Sequence, residues 1–168
     1  MRHKYKDHDP PNHEQPWTEI RPLLWMGGHE WIGPAGEPRQ AVVTDEFDLV
    51  ISLFTREGHG PGPGVEHLVF EIPDASLTAD QIDGARRLGA IAAAAVRQGR
   101  NTLVRCRAGY NRSGLVVGQA LIDLGRSAPD AITLIRERRG RTALHNESFV
   151  AYLESGLDLA SLLSGLES

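Results

Sequence analysis

The stretch Cys106-Arg107-Ala108-Gly109-Tyr110-Asn111-Arg112-Ser113 decides the fold, because it joins a predicted β-strand to a predicted α-helix through a loop that begins with a thiol. The strand-like run 102–104 precedes this stretch, and an apolar pattern of helical period follows it as far as residue 124. Backbone N–H groups at the start of a helix converge on one point, where the helix dipole adds partial positive charge. The stretch therefore predicts an anion-binding loop with a thiolate at its base.

Cys106 is the only cysteine of the chain, and Arg112 stands six residues after it. The planar guanidinium of an arginine can donate to two phosphate oxygens at once. Gly109 supplies the backbone freedom that a tight turn around an anion needs. The alternative is a buried and inert cysteine, but such a residue needs neither neighbouring arginines nor a glycine turn. The pattern thus predicts covalent phosphoryl transfer, with Cys106 as the nucleophile.

The run 104–113 resembles the Cys-x5-Arg-Ser/Thr signature of the cysteine-dependent protein tyrosine phosphatase superfamily, in its dual-specificity form. Three further segments are similar to that family with lower specificity: Leu23–Gly28 to its first strand, Phe47–Leu53 to a later strand, and Phe70–Asp74 to its general-acid region. The resemblance implies hydrolysis of phosphomonoesters through a phosphocysteine intermediate, without metal or cofactor. The implied substrates are phosphotyrosine and also phosphoserine or phosphothreonine of proteins.

Asp74 is the predicted proton donor to the leaving group, because it follows Pro73 at the place where the resemblance puts the general acid. Ser113 is expected to donate a hydrogen bond to the sulfur and to ease its departure from phosphorus. The alternatives are a turn-forming aspartate and a helix-terminal serine. Asp80 and Asp83 are the other candidate donors, although a helix start favours carboxylates in any case.

The loop itself is expected to hold the substrate phosphate through its amides and Arg112. The substrate-binding residues assigned to it are Arg107, Ala108, Gly109, Tyr110 and Asn111. The Asn111 side chain is expected to lock the loop through bonds to backbone groups. The side chains of Arg107 and Tyr110 are expected to project outward and form the rim of the pocket.

The residue before the cysteine departs from the family pattern, which usually has histidine there and uses it to orient the loop and support the thiolate. Here the residue is Arg105, which keeps a positive charge but differs in shape and hydrogen-bond options. We hypothesise that Arg105 substitutes as a charged support of the loop. The alternative is a catalytically impaired module that binds phosphate without turnover.

Two further points about function stay open at this stage. The substrate could be a non-protein phosphomonoester such as a phosphoinositide, a nucleotide or an RNA 5′ end, although loops adapted to polyphosphorylated lipids carry extra lysines and this one has none. His145 could be a general base, but nothing in the sequence ties it to Cys106, so a structural or surface histidine is favoured.

Composition limits the remaining possibilities. A chain of 168 residues, 40% of them hydrophobic, can form one domain with a proper core. A net charge of −4 argues against nucleic acid as the main partner. No hydrophobic run is long enough for a signal peptide or a membrane span, and a single cysteine excludes an internal disulfide. We therefore expect a cytoplasmic monomer that acts on a phosphorylated protein or a small phosphomonoester, without a membrane partner.

Residues 1–16 form a predicted disordered tail, and the catalytic domain is placed at 17–168. The tail contains His3, His8 and His13, and because it has no cysteine a metal-binding tail is the less favoured alternative. Beyond it, strands come early and helices later, which predicts a short central mixed β-sheet flanked by helices on both sides. The predicted helices cover about 78–98, 112–124, 127–139 and 146–166, the first starting at the capping box Thr78-Ala79-Asp80-Gln81.

Overall fold

A computed structural model of the protein describes residues 16–167, so the predicted tail with His3, His8 and His13 lies outside the described residues, apart from Pro16. The strands are β1 (Trp17–Arg21), β2 (Leu24–Gly27), β3 (Glu30–Ile32), β4 (Pro38–Gln40), β5 (Leu49–Ser52), β6 (Glu66–Val69) and β7 (Thr102–Arg105). The helices are α1 (Ala79–Arg97), α2 (Arg112–Asp123), α3 (Ala128–Arg139), α4 (Glu147–Ser155) and α5 (Leu157–Leu166).

The predicted short mixed sheet is confirmed: five strands lie in the order β1-β2-β7-β5-β6, with only the β1 pairing antiparallel. Strand β7 is central, and its last residue, Arg105, is paired with Gly27 on one side and Ser52 on the other. Carboxyl ends of neighbouring parallel strands meet at one edge of a sheet, which is where open α/β folds place their sites. Cys106 follows β7 at that edge.

The helices pack on one face of the sheet, so the prediction of helices on both sides is wrong. Alternate side chains of a strand point to opposite faces. Ile51 and Val104 join a large core to which all five helices contribute. Val50 and Leu103 point the other way, into a small core formed with buried residues of the segment 43–47. A connecting segment thus covers the face where a helix was expected.

The start of α1 is confirmed as a capping box. The Thr78 hydroxyl accepts the Gln81 amide, and the Gln81 side chain accepts the Thr78 amide in return. Both bonds satisfy backbone donors that the first helical turn leaves unpaired. Ser127 caps α3 in a similar way by accepting the Asp130 amide. These local patterns were readable from sequence because the partners lie three residues apart.

The predicted helix 146–166 is instead two helices, broken at Gly156, whose φ is 95°. Glycine reaches that left-handed region without steric cost, so the chain can turn sharply there. Leu157 then packs into the core at the start of α5. The far side of α5 carries four exposed leucines, at 159, 162, 163 and 166.

Two details of the predicted strands also differ. The segment Leu23–Gly28 corresponds to the second strand, because β1 precedes it as an antiparallel edge. The β3–β4 hairpin has no counterpart in the prediction. Within residues 16–167 no single helix is long and apolar enough to cross a membrane; only α4 and α5 taken together reach that length and composition, and they meet at a bend of 112°.

Candidate active site

Cys106 lies at the base of the loop that joins β7 to α2, with only 2% of its surface exposed. Its backbone N–H donates to the Gly27 carbonyl at 3.2 Å. Its sulfur lies 3.3 Å from the Gly109 amide nitrogen and 3.3 Å from the Ser113 hydroxyl oxygen. An amide and a hydroxyl can both donate to a thiolate, so the surroundings of Sγ suit a negative charge.

The turn after β2 lies directly against this loop. A side chain on Gly28 would place its Cβ 2.6 Å from the Arg107 carbonyl oxygen, and one on Gly109 would place it 2.5 Å from the Gly27 carbonyl carbon. The His29 amide donates to the Arg107 carbonyl at 2.9 Å. Gly109 also has a φ of 81°, which disfavours any other residue. The bend of the loop therefore depends on glycines at both contacting positions.

Arg139, the last residue of α3, also supports the loop. Its Nε donates to the Gly109 carbonyl at 2.9 Å and its Nη2 to the Ala108 carbonyl at 3.3 Å. Nη1 donates to the Thr18 hydroxyl at 3.1 Å, so strand β1 joins the same contact. A peptide carbonyl and the next N–H point in opposite directions. By holding the Ala108 carbonyl, Arg139 helps to keep the next N–H, that of Gly109, turned toward the sulfur.

Tyr110 is a correction to the predicted rim. Its side chain is buried, and the guanidinium of Arg139 lies 5.0 Å from its ring centroid. It therefore packs beneath the loop and not outward, although its backbone still belongs to the turn. Burial lowers the pKa of Arg139, while the charges of Tyr110 and Cys106 oppose that shift. The Arg107 side chain is exposed, as a rim residue requires.

Arg112 begins α2, and not all N–H donors of its guanidinium are used in hydrogen bonds. Its Nη1 donates to the Ile72 carbonyl at 3.1 Å, and its guanidinium stands 5.6 Å from the centroid of the Phe54 ring. Its Nε is buried without a hydrogen-bond partner among the described residues. A buried donor that lacks a partner carries a desolvation cost of roughly 1–3 kcal/mol. An incoming oxyanion would remove that cost.

Asp74 lies beside the loop, in an exposed position. Its Oδ2 accepts from the Asn111 side-chain amide at 2.9 Å and its Oδ1 from the Asn146 side-chain amide at 2.8 Å. The fold thus brings Asp74 next to a loop residue 37 positions later in the chain. Asp83 is held elsewhere, in ion pairs with Arg86 and Arg87 at 2.8 and 2.9 Å. The hydrogen bond from Arg86 lowers the pKa of Asp83 and makes it a poor proton donor. The other candidate donor, Asp80, lies in the first turn of α1.

Asn111 uses its whole side chain in contacts to other segments. In addition to Asp74, its Nδ2 lies 3.0 Å from Nε2 of His145. Its Oδ1 accepts the backbone N–H of Asn146 at 3.0 Å. One of these bonds goes to a backbone group, as expected, but the others join the loop to the predicted general acid and to His145.

Arg105, hypothesised to be a charged support of the loop, directs its side chain to two other segments. Its Nε donates to the Ser52 hydroxyl at 3.0 Å, its Nη1 to the His59 carbonyl at 2.9 Å, and its Nη2 to the Gly60 carbonyl. Its side chain is 1% exposed, and burial lowers its pKa to about 10, which leaves it charged at neutral pH. Arg105 thus anchors the glycine-rich segment 58–64 to the central strand, and its side-chain bonds go to that segment and β5, not to residues 107–112.

A pair of buried histidines lies beside Arg105. Nδ1 of His29 is 3.2 Å from Nδ1 of His59, and Nε2 of His29 is 2.8 Å from the Phe54 carbonyl. Because a carbonyl only accepts, Nε2 of His29 carries a proton. Burial lowers the pKa of His29 to about 4, with Arg105 and His59 among the charges that reinforce the shift. His29 is therefore neutral at physiological pH.

Two residues of this site, Arg139 and Asn146, were absent from the predicted set. Arg139 is one of three arginines in the last turn of α3, where basic residues complement the helix dipole, so no local signal distinguishes it. Asn146 could have been read as a helix cap, and it does accept the amides of Ser148 and Phe149. Its second role, toward Asp74, depends on a contact across 72 residues. Among residues 16–167, no group of three or more His, Cys, Asp or Glu side chains is arranged to hold a metal ion.

Comparison with known proteins shows which solved structures share this fold. No protein-family model and no curated protein matches the chain. Human DUSP28 is 23% identical, with a TM-score of 0.64 over 89% of this chain and 99% of its own. A mouse putative dual specificity phosphatase, crystallised with zinc tungstate, is 23% identical, with a TM-score of 0.58 over 88% and 91%. PTPMT1 in complex with PI(5)P is 16% identical, with a TM-score of 0.60 over 89% and 98%. The chain has the fold of the dual-specificity, cysteine-dependent phosphatases, as the resemblance of its loop implied.

Proposed function

We propose that this protein is a cysteine-dependent phosphatase that hydrolyses phosphotyrosine, and also phosphoserine or phosphothreonine, on proteins. The observation that carries the proposal is the position of Cys106 Sγ, 3.3 Å from both the Gly109 amide and the Ser113 hydroxyl, in the fold of the dual-specificity phosphatases. A reducing compartment, such as the cytoplasm, belongs to the proposal, because the thiol must stay unoxidised to react.

The first step transfers the phosphoryl group to sulfur. The Cys106 thiolate attacks phosphorus, the S–P bond forms, and the P–O ester bond breaks. The leaving oxygen takes a proton from Asp74. The loop amides and Arg112 hold the three equatorial oxygens, and the unpartnered Nε of Arg112 supplies a donor for them.

The second step releases inorganic phosphate. Water attacks phosphorus, gives its proton to the Asp74 carboxylate, and the S–P bond breaks to regenerate the thiolate. The Ser113 hydroxyl, 3.3 Å from the sulfur, stabilises the charge that returns there. Asp74 thus acts as acid and then as base, and both of its oxygens retain a free lone pair beside the amides that hold them.

A non-protein phosphomonoester is the second candidate substrate, because PTPMT1, crystallised with PI(5)P, shares the fold. A phosphate-binding module without turnover is the third, because Arg105 directs its hydrogen bonds to Ser52, His59 and Gly60 instead of the loop. Against the lipid substrate, residues 106–113 contain no lysine.

The deciding experiment is release of phosphate from p-nitrophenyl phosphate. We expect vanadate-sensitive turnover that Cys106→Ser abolishes. Binding of phosphotyrosine peptides without turnover would establish the module instead. If turnover is found, trapping with Cys106→Ser in a lysate, followed by assays on phosphopeptides and on vesicles containing phosphoinositide, separates protein from lipid substrates.

A further inference from the structure

His145 lies on the loop between α3 and α4, a segment that the structure fixes unusually firmly. Arg136 donates from Nε to the Ala143 carbonyl at 3.1 Å and from Nη2 to the Leu144 carbonyl at 3.0 Å. The Leu144 amide donates to the carbonyl of Tyr110, inside the cysteine loop, at 2.9 Å. Leu144 also has a φ of 59°, a left-handed conformation that is costly for leucine and that persists only where the surroundings enforce it.

The hydrogen bonds of His145 define its tautomer. Nδ1 lies 2.9 Å from the Thr142 carbonyl, which can only accept, so Nδ1 carries the proton. Nε2 of the neutral ring is then an acceptor, and the Asn111 Nδ2 lies 3.0 Å from it. His145 therefore takes one of the two N–H groups of the Asn111 side chain.

The orientation of the Asn111 amide follows from its other partners. Its second N–H donates to Asp74 at 2.9 Å, and its Oδ1 accepts the Asn146 N–H at 3.0 Å. A flipped amide would set its oxygen against the Asp74 carboxylate and the lone pair of His145, and its NH₂ against the Asn146 N–H. Each of these contacts is repulsive, so His145 helps to fix which face Asn111 presents to Asp74.

Asn146 completes the arrangement from the other side. Its Oδ1 accepts the Ser148 and Phe149 amides as the cap of α4, so its Nδ2 is directed outward and donates to Asp74 at 2.8 Å. Both oxygens of Asp74 are thereby held by amides whose orientation is set by other bonds. The carboxyl group is exposed, so without these amides it would sample many positions.

On the basis of the proposed phosphatase function, we infer that His145 and Asn146 are positioning residues for the general acid. His145 acts through Asn111, and Asn146 acts directly on Asp74. Neither touches the reacting atoms. Their effect belongs to the step in which a proton passes to the leaving group, so it depends on how poor that leaving group is.

The kinetic test compares phenyl phosphate, which needs a proton on its leaving oxygen, with p-nitrophenyl phosphate, which needs it much less. In His145→Ala we expect kcat on phenyl phosphate to fall about tenfold or more, and kcat on p-nitrophenyl phosphate to fall less than about threefold. His145→Gln should restore most of the loss, because its side-chain carbonyl can accept from Asn111 in place of Nε2. Arg141→Ala, an exposed position on the same loop, is the matched control.

A double mutant with Asp74→Asn tests whether His145 acts through Asp74. If His145 acts through Asp74, then adding His145→Ala to Asp74→Asn should lower turnover of phenyl phosphate no further. Equal losses on both esters, no rescue by His145→Gln, or a further loss in the Asp74→Asn background would overturn the inference. Thermal unfolding of each variant identifies any that is simply destabilised.

An NMR measurement tests the arrangement without relying on activity, so it also applies if the wild-type protein releases no phosphate. Both side-chain N–H protons of Asn111 should give resolved, slowly exchanging signals. Asp74→Ala should change the shift of one proton, and His145→Ala that of the other. If the two Asn111 signals merge through exchange in the wild type, or do not shift in His145→Ala, the proposed positioning role of His145 is wrong even for a working enzyme.

Discussion

Nε of Arg139 lies 2.9 Å from the carbonyl oxygen of Gly109, so a residue at the end of α3 holds the turn of the cysteine loop. The guanidinium is buried and also reaches Ala108 and Thr18, which joins the loop, the last turn of α3 and the edge strand β1. The shape of the loop is therefore a property of the whole sheet edge and not of the eight-residue signature alone.

Replacing Arg139 should damage activity and stability together. Arg139→Ala removes a buried cation bonded to the Gly109 and Ala108 carbonyls, and we expect a loss of about 2–4 kcal/mol in the free energy of unfolding. Turnover of p-nitrophenyl phosphate should fall at least tenfold even at temperatures where the variant is folded. Urea unfolding and steady-state kinetics measure the two effects.

The neighbouring arginine offers a matched control. Arg138 is exposed on the same helical turn, so Arg138→Ala should change the unfolding free energy by less than about 0.5 kcal/mol and leave turnover unchanged. If Arg138→Ala and Arg139→Ala lose the same stability and turnover, Arg139 does not support the loop in the way described.

Arg105→His tests whether the unusual residue before the cysteine is an impairment. An imidazole is too short to bond Ser52, His59 and Gly60 together, as the guanidinium does. We expect the unfolding free energy to fall by roughly 2–4 kcal/mol, with no gain in turnover. A stable variant whose turnover rises by orders of magnitude would show that Arg105 is a defect in the native protein. Denaturant unfolding at neutral pH and assays on p-nitrophenyl phosphate give both answers.

Stability should fall as the pH is lowered from about 6.5 toward 4. Burial lowers the pKa of His29 from 6.5 to about 4. In this pH interval His29 therefore binds a proton in the unfolded chain but stays neutral in the folded protein. The contribution of His29 is present in full above about pH 6.5 and is lost as the pH falls. A difference of this size corresponds to about 3 kcal/mol at the acid end.

Burial also lowers the pKa of His59 and of His67, which adds to the same slope. Urea unfolding at intervals between pH 7 and 5 measures it, in a range above that in which carboxylates titrate. His29→Gln should make the slope shallower, whatever its effect on stability at neutral pH. An unchanged slope in that variant would mean that His29 is accessible to protons in the folded state.

Ser113→Ala should separate the two chemical steps. The hydroxyl lies 3.3 Å from Sγ, and in the proposed mechanism it stabilises the thiolate that leaves phosphorus in the second step. Its removal should slow breakdown of the phosphocysteine about tenfold or more, with formation less affected. Stopped-flow release of p-nitrophenol should then show a burst equal to the enzyme concentration. A variant that loses the burst and the steady-state rate equally would place Ser113 in loop folding instead.

The parts of the fold that sequence predicted are those encoded locally. Thr78 and Gln81 lie three residues apart, and Cys106 and Arg112 lie six residues apart, so pattern and spacing carry the information. The break at Gly156 was missed because one glycine within an apolar helical pattern costs only about 1 kcal/mol and is often tolerated. The placement of all helices on one face was missed because the covering segment 43–47 has no regular pattern.

The candidate site divides in the same way. The proposed nucleophile Cys106 and the proposed phosphate ligand Arg112 belong to the loop signature, whereas the residues that hold the loop come from far along the chain. Arg139 is 30 residues from Gly109, and Asn146 is 72 residues from Asp74. Arg136, Arg138 and Arg139 share one helical turn, and only the packing of α3 against β1 decides which of them is buried. Sequence spacing contains no record of that packing.

The glycines at the β2 turn have a consequence for protein engineering. Because a methyl group at Gly28 would meet the Arg107 carbonyl at 2.6 Å, transplanting the eight-residue signature into another scaffold will not reproduce its curvature unless a glycine stands at the position of Gly28. In directed evolution of this protein, mutations in the turn after β2 and in the cysteine loop should likewise be epistatic. A larger residue in one segment should be tolerated only after the backbone of the other has moved away.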